Sequence, residues 1–462
     1  VLGELLIAAA LAGPPSGWRH DGTGVFPAGA SPSAWSEAGP YAWKATLPVW
    51  GNASPVVLDG RVCVTQEPTT LTCLSSRDGA VLWSHAHPVA AALQGADAER
   101  LRGSLGTLAR DQERQVALQQ QASQLSRAAR RGDEAAEAQL VAVSAELMAL
   151  RKSLEAYADY LTPPDREQVG YASSTPATDG RALFALFGNG VLAAREPDGS
   201  LRWQRWLGAL KKPVRGYGVG HGASPLLVDG VLIVPWEQLR GVDPATGAER
   251  WTGPVYADYG TPAVVRVDGV AYLVTPAGEV VRARDGQVVA RHELPLYWAS
   301  PTAVPGTSSV VFVGGAGKAH SGEVNNLAWR LDLTSSGGAV QIREAWRAPI
   351  ATGERFYASA VVHGGRVYAI DDTGALWWFE LATGRAGAPL RVAESHGFLP
   401  SLVVAGDLLF ASSESGAVTV VRLGASPAAV GTSSAGPLRS TPAPVGGRVY
   451  LRTLAGVVAV GS

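Results

Sequence analysis

The chain has 462 residues, 46% of them hydrophobic, with 39 Lys and Arg against 40 Asp and Glu for a formal net charge of −1. The charges are interspersed, so no field exists to draw in nucleic acid or an anionic membrane, and partners of those classes are excluded. Its 55 Gly and 30 Pro fit a protein full of tight turns rather than a disordered one.

In chain order, Leu5 to Ala12 is apolar, too short to span a bilayer, and ends in Ala10-Leu11-Ala12, a small-x-small cleavage pattern. Residues 1–12 therefore read as the remnant of a secretory signal peptide, with a buried N-terminal helix as the competing reading. Residues 13–40 form an N-terminal strap. Its run Gly17-Trp18-Arg19-His20-Asp21-Gly22-Thr23-Gly24 holds too much Gly for a helix or strand and is expected to lie across a surface, with His20 and Asp21 a weak candidate ligand pair.

A repeat then takes over. Ser54-Pro55, Thr175-Pro176, Ser224-Pro225, Thr261-Pro262, Ser300-Pro301 and Thr441-Pro442, with degenerate copies at Ser359-Ala360 and Ser401-Leu402, each open a short apolar run ending in a Gly-containing turn. Away from two insertions the copies lie roughly 37 to 49 residues apart, the period of a four-stranded propeller blade. Pro55 to Val64 reads as strand, Asp-Gly turn, strand. A third strand closes with Asp-Gly or Thr-Gly and often a Trp four residues later: Gly79 with Trp83, Gly199 with Trp203, Gly247 with Trp251. These Trp are expected to pack between blades rather than stack ligands. After Pro442 there is room for only three strands, so Tyr41 to Leu47 is expected to supply the fourth and close the ring.

Residues 41–92 thus make the closing strand and first blade. Within them Cys63 and Cys73 flank a turn near Pro68 and face each other across a hairpin, which suits a disulfide in an oxidising compartment. Two buried free thiols, or a metal pair, are the alternatives. Residues 93–163 lose the β pattern for Ala, Leu, Gln, Glu and Arg. Leu140, Val143, Leu147, Leu150, Leu154, Tyr157 and Leu161 follow a heptad seam, and Leu101, Leu105, Leu108, Leu118 and Leu125 a looser stripe. With a stop at Arg131-Gly132 and Asp133 as N-cap, this segment predicts an antiparallel helical hairpin of coiled-coil type, either packed on its own body or serving as a docking arm. Residues 164–462 hold the remaining blades.

The loops that enter the innermost strands place Trp50, Tyr171, His221, Tyr259, Trp298, Tyr357, Phe398 and Arg439 around the axis. They either form a ligand- or peptide-binding ring or plug the channel. The Gly-rich run Arg215 to Gly222 precedes no helix and reads as a tight loop, not a phosphate cradle. Asp258, Asn52, Glu354, Arg355, His396, Lys318, His320, Asn325 and Asn326 are scattered polar candidates, and Asp371-Asp372-Thr373-Gly374 is a turn. No spaced metal-ligand set or catalytic triad emerges, so catalytic residues stay unassigned and no metal is expected.

The grammar of Val64 to Leu74, Gly220 to Pro225, Phe356 to Ser359 and Arg439 to Pro442 resembles the pyrroloquinoline-quinone-like (PQQ-like) β-propeller repeat family, in its secreted bacterial form with a helical insertion after the first blade. The resemblance implies an all-β, eight-bladed, quinoprotein-like propeller carrying an α-helical hairpin. It also implies an exported, periplasmic or secreted protein without a transmembrane span in the mature chain. Quinone-dependent dehydrogenases of this superfamily carry an adjacent Cys-Cys pair and a calcium site of Glu, Asn and Asp. Here the two cysteines stand ten positions apart and no calcium set can be assigned. The leading expectation is therefore a non-catalytic scaffold without a cofactor, binding a protein or ligand of an envelope complex through its channel face and helical arm. A PQQ- and calcium-dependent oxidoreductase is the alternative.

Overall fold

The computed structural model describes residues 16–29, 31–35, 39, 41–101, 103–160, 169–210, 221–256, 260–294, 296–297, 299–316 and 325–461. Tyr259, Trp298, Asp258, Lys318, His320, Leu161, the run 211–220 and the apolar start of the chain lie outside them.

Eight antiparallel sheets stand around one axis. Blades 1 to 4 begin at innermost strands Val56–Leu58, Ala177–Thr178, Leu226–Val228 and Ala263–Val267, and blades 5 to 8 at Thr302–Ala303, Val361–His363, Val403–Ala405 and Ala443–Val445. In five of the eight blades the hairpin from first to second strand turns where two consecutive residues have positive φ, as at Asp59-Gly60 (41° and 71°) and Asp229-Gly230 (48° and 72°), the geometry that matches strand twist. In blades 2, 5 and 7 only the turn glycine, Gly180, Gly306 or Gly406, has positive φ. Blade 8 takes three strands from the C-terminus. Its fourth is Trp43–Thr46, paired antiparallel with Gly456 to Ala459, and this pairing closes the ring.

The core lies between blades rather than in a single centre. One cluster joins Phe410 and Val420 of blade 7 to Tyr450 and Val458 of blade 8 and Val62 and Leu74 of blade 1. The Trp residues sit in these seams, each over the turn glycine of the following blade: Trp43 on Gly79, Trp83 on Gly199, Trp203 on Gly247, Trp251 on Gly286 and Trp346 on Gly384. A Cβ on Gly199 would lie 2.7 Å from the Trp83 ring. The indole N–H of Trp83 donates to Pro197 O at 2.9 Å and that of Trp203 to Pro244 O at 3.0 Å. The Gly-Trp spacing seen in the sequence is thus a register between neighbours: each turn glycine receives the preceding blade's Trp, not its own.

The helical insertion leaves blade 1 through the short helices Val89–Ala92 and Gly95–Arg100. Two long helices follow, Leu105–Ala129 and Glu134–Leu154, joined at Arg130 to Asp133. The Asp133 carboxylate caps the second by accepting from Ala136 N at 3.0 Å. Leu118 and Ala122 meet Val143 and Leu147 along the seam, with Leu125, Leu140 and Leu150 packed alongside. Leu101 instead joins the ring cluster at the base of the arm, and Tyr157 falls in a 3-10 turn beyond the second helix.

Candidate functional site

The Ser/Thr anchors do more than open strands. The backbone N–H of each donates to the side-chain hydroxyl of the next: Ser359 to Ser401, Ser401 to Thr441, Thr441 to Ser54, Ser54 to Thr175, Thr175 to Ser224, and Ser224 to Thr261, all at 2.9 to 3.1 Å. A small hydroxyl residue fits because it accepts this bond at the crowded axis without filling it. The resulting girdle runs from blade 6 through blades 7, 8, 1, 2 and 3 to blade 4.

Around blade 5 the strap takes over. Contrary to the surface course expected for it, the segment from Ser16 to Phe26 crosses the axis. Ser16 pairs with Thr178 of blade 2, and Val25–Phe26 add a parallel strand to Val404–Ala405 of blade 7. Between these ends Arg19, 2% exposed, donates to Thr302 Oγ1 and to the carbonyls of Ala360 and Leu402, on blades 5, 6 and 7. Gly24, at φ 80°, leaves room for it: a Cβ there would strike the guanidinium. Asp21 accepts from Thr23 N and Oγ1 in a local turn, and His20 stacks on Phe26 with ring centroids 5.3 Å apart. The His20-Asp21 dipeptide thus builds the strap. These contacts lie downstream of the anchors along the inner strands, so the strap forms a floor.

Above the floor is an axial funnel of about 800 Å³. Trp18 lies at its base, Ser54, Thr175, Ser224, Ser401 and Thr441 line its throat, and Asn52, Arg355, Tyr357, Asp372, His396, Glu414 and Arg439 line its upper wall. Arg355 donates to Tyr357 Oη at 3.1 Å, and Arg439 pairs with Glu414 at 2.6 Å.

A second cavity of about 380 Å³ lies between the first long helix and the same face. Val116, Gln119, Gln120 and Arg127 form its helical wall; Trp50, Glu67, Tyr171 and Arg439 form its propeller wall. Arg439 belongs to both cavities, so arm and funnel share one continuous face. Glu67, 2% exposed, accepts from the N–H groups of Tyr171 and Ala172 at 2.6 to 2.9 Å. Burial pushes its carboxyl up to about 8, against the pull of those two N–H donors.

The expected aromatic ring is divided by the structure. Trp50, Tyr171 and Arg439 meet at the arm cleft, while Tyr357 and Arg439 face the funnel. His221 and Phe398 are core residues, 3% and 1% exposed. His221 is held by Ser174 Oγ and Pro235 O and tilts against Trp236, and burial lowers its pKa to about 4. Phe398 packs on Gly374. Of the scattered polar candidates, Asn326 donates to Thr352 O and Glu354 O, clamping a loop. Asp371 closes its turn on Thr373 and Ala375 and also accepts from Trp377 Nε1. The functional residues missed from sequence are Trp18, Arg19 and Glu67. Trp18 and Arg19 gave one signal, bulky residues inside a Gly-rich strap.

Cys63 and Cys73 are direct cross-strand partners in blade 1, joined Sγ to Sγ with Cα atoms 4.1 Å apart and both wholly buried. Among the described residues no three of His, Cys, Asp and Glu come together as a metal-binding group.

Ring, anchors and arm together define a closed eight-bladed PQQ-like β-propeller with a helical insertion. The profile of the family described as outer membrane protein assembly factor BamB matches residues 21–158 and 170–291, over half of the chain, and the chain belongs to that family. No curated protein matches it in sequence. Among solved structures it is similar to the computationally designed Ika8 protein, at 10% identity and TM-score 0.53, over 92% of this chain and all of that one. It is also similar to Sqt1 of Saccharomyces cerevisiae, at 9% identity and TM-score 0.54, over 91% and 98% of the two chains. At these identities the likeness is one of fold. BamB from Moraxella catarrhalis aligns at 12% identity and TM-score 0.49 over 90% of this chain and 96% of that one.

Proposed function

We propose that this protein is a non-catalytic scaffold of the bacterial envelope, periplasmic or secreted, that binds a partner protein of an assembly complex through its funnel face and helical arm. The observation that carries the reading is the shared face: the first arm helix walls a cleft against Trp50, Tyr171 and Arg439, and Arg439 continues into the funnel. Membership of a family described by outer-membrane assembly supports the envelope and the partner. The Cys63–Cys73 bridge supports an oxidising compartment. No helix among the described residues is long and apolar enough to cross a membrane.

The quinone-dependent reading fits the residues less well. Its roof of adjacent cysteines has no counterpart, because Cys63 and Cys73 are buried inside blade 1 away from the funnel wall. No chemical step is assigned on that basis.

Photo-cross-linking in the envelope tests the scaffold. A photoreactive residue at Tyr357, and another at Met148 on the exposed face of the second arm helix, should both give adducts with one envelope protein, whereas a control at Gly337 should give none. Equal labelling at all three positions, or none at any, sinks the reading.

A further inference from the structure

The throat of the funnel is built of hydrogen-bond donors. The hydroxyls of Ser54, Thr175, Ser224, Ser401 and Thr441 line it, each residue no more than 7% exposed. Every one of these oxygens accepts a backbone N–H from a neighbouring anchor. None gives its own proton to an acceptor among the described residues, so five O–H donors remain unspent. An N–H aimed at a hydroxyl oxygen polarises the O–H and makes it a stronger donor to a third group. What such a ring lacks is an acceptor.

The charge around it points the same way. At the upper wall Arg355 and Arg439 offset Asp372 and Glu414. Below, the Arg19 guanidinium carbon lies 5.1 Å from the centroid of the Trp18 ring that forms the floor. Carbonyls and Thr302 take its protons, no carboxylate among the described residues is in ion-pair contact with it, and its Nε finds no partner. Asp21 offsets the charge from a distance, with its Oδ1 engaged by Thr23. Burial lowers the guanidinium to about 9, which leaves it a cation at neutral pH. A buried charge whose partners are only dipoles still favours an opposite charge nearby.

We propose that the funnel throat is a carboxylate-binding site, in which the ligand's carboxylate accepts from the anchor hydroxyls over the Arg19 charge while its carbon framework lies on Trp18. The inference rests on reading the funnel face as the binding surface. A cavity of about 800 Å³ is far larger than a carboxylate group, so it has room for the chain that carries one. That chain is either the C-terminal end of a partner's extended segment or a small organic acid. Hydrogen bonds to an ionised acceptor are roughly twice as strong as neutral ones, which sets the contrast to be measured.

Calorimetric titration of the full chain tests the site with four probes: acetate, succinate, the peptide Ser-Gly-Ser-Gly-Phe as free acid, and the same peptide as its C-terminal amide. The free acid should bind about tenfold or more tightly than the amide. Rising ionic strength should weaken the acid and leave the amide unchanged. Succinate binding as tightly as the acid peptide assigns the site to small acids; acid peptide alone assigns it to a chain terminus. Ser224→Ala should weaken the free acid severalfold and spare the amide, and the comparison on the unmutated chain stands even if this variant folds poorly. Equal affinity for acid and amide, or no binding of any carboxylate, overturns the proposal. That failure with the Tyr357 and Met148 cross-links intact would remove the carboxylate site alone. Acid selectivity without cross-links would remove the scaffold instead.

Discussion

The ring is sewn in two different ways. From blade 6 round through blade 8 to blade 4, each anchor N–H finds the hydroxyl of the next copy, so a repeated residue satisfies a repeated need. At blade 5, where that chain of hydroxyls breaks, a side chain from the strap reinforces the join: Arg19 reaches Thr302, Ala360 and Leu402 on blades 5, 6 and 7, residues 283 to 383 positions away in sequence, beside the bond that Thr302 Oγ1 donates to Ala360 O at 3.0 Å. The difference teaches that a repeat protein closes by local rules wherever the copies agree, and needs a unique group where they diverge. In the first arc, stability is spread over many small bonds. In the second it gathers around one buried cation and the Thr302 hydroxyl beside it.

That contrast can be broken at several points. The largest effect should come from the packing common to all seams: Trp203→Ala leaves a cavity over Gly247 and a lost bond to Pro244, at a cost of about 3–5 kcal/mol in denaturant unfolding. Arg19→Ala should follow at about 2–4 kcal/mol, because it strands the buried carbonyl of Leu402 and leaves that of Ala360 with the Thr302 hydroxyl alone. If the strap is only a cover, the loss will stay below that of an ordinary surface change. Ser224→Ala removes one link of six and should cost about 1 kcal/mol, since its neighbours keep theirs. A loss as large as that of Arg19→Ala would mean that the girdle acts as one cooperative unit. Arm and ring can be separated too: Leu147→Ala should loosen hydrogen-exchange protection in the two long helices and leave the ring's unfolding midpoint almost unchanged, because its cluster lies wholly within the hairpin.

Glu67 sharpens the comparison through pH. Its folded pKa, about 8, lies above the ordinary carboxyl value of 4.5, so between those values the folded chain holds a proton that the unfolded chain has released. Stability should therefore fall as pH rises through that window. Glu67→Gln keeps an oxygen to accept from Tyr171 and Ala172 and should flatten the decline, as read from unfolding midpoints across the pH range. An unchanged slope would show that the carboxyl beneath the arm is already ionised at neutral pH. His87 and His221 act in the opposite sense: burial lowers both to about 4, so their contribution is lost as pH falls from near 6.5 through that value.

Sequence alone determined the eightfold ring, its closing strand and the helical hairpin. These rest on short-range signals repeated many times: an anchor opening each blade, a glycine in each turn after the first strand, and a leucine seam with an Asp cap. It also placed Tyr357, Trp50 and Arg439 on the axial face, because a residue's distance from its anchor sets its height in the blade. Only the tertiary structure decided which of those residues face a cavity. His221 and Phe398 stand three residues ahead of their anchors, where Tyr357 stands two ahead, and at that offset Phe356 is buried as well; the packing of adjacent blades, not the strand itself, encloses that position. Nor could sequence send the strap through the axis or put Arg19 at the break in the girdle. Those contacts join residues hundreds of positions apart, and no periodicity marks a group that occurs once.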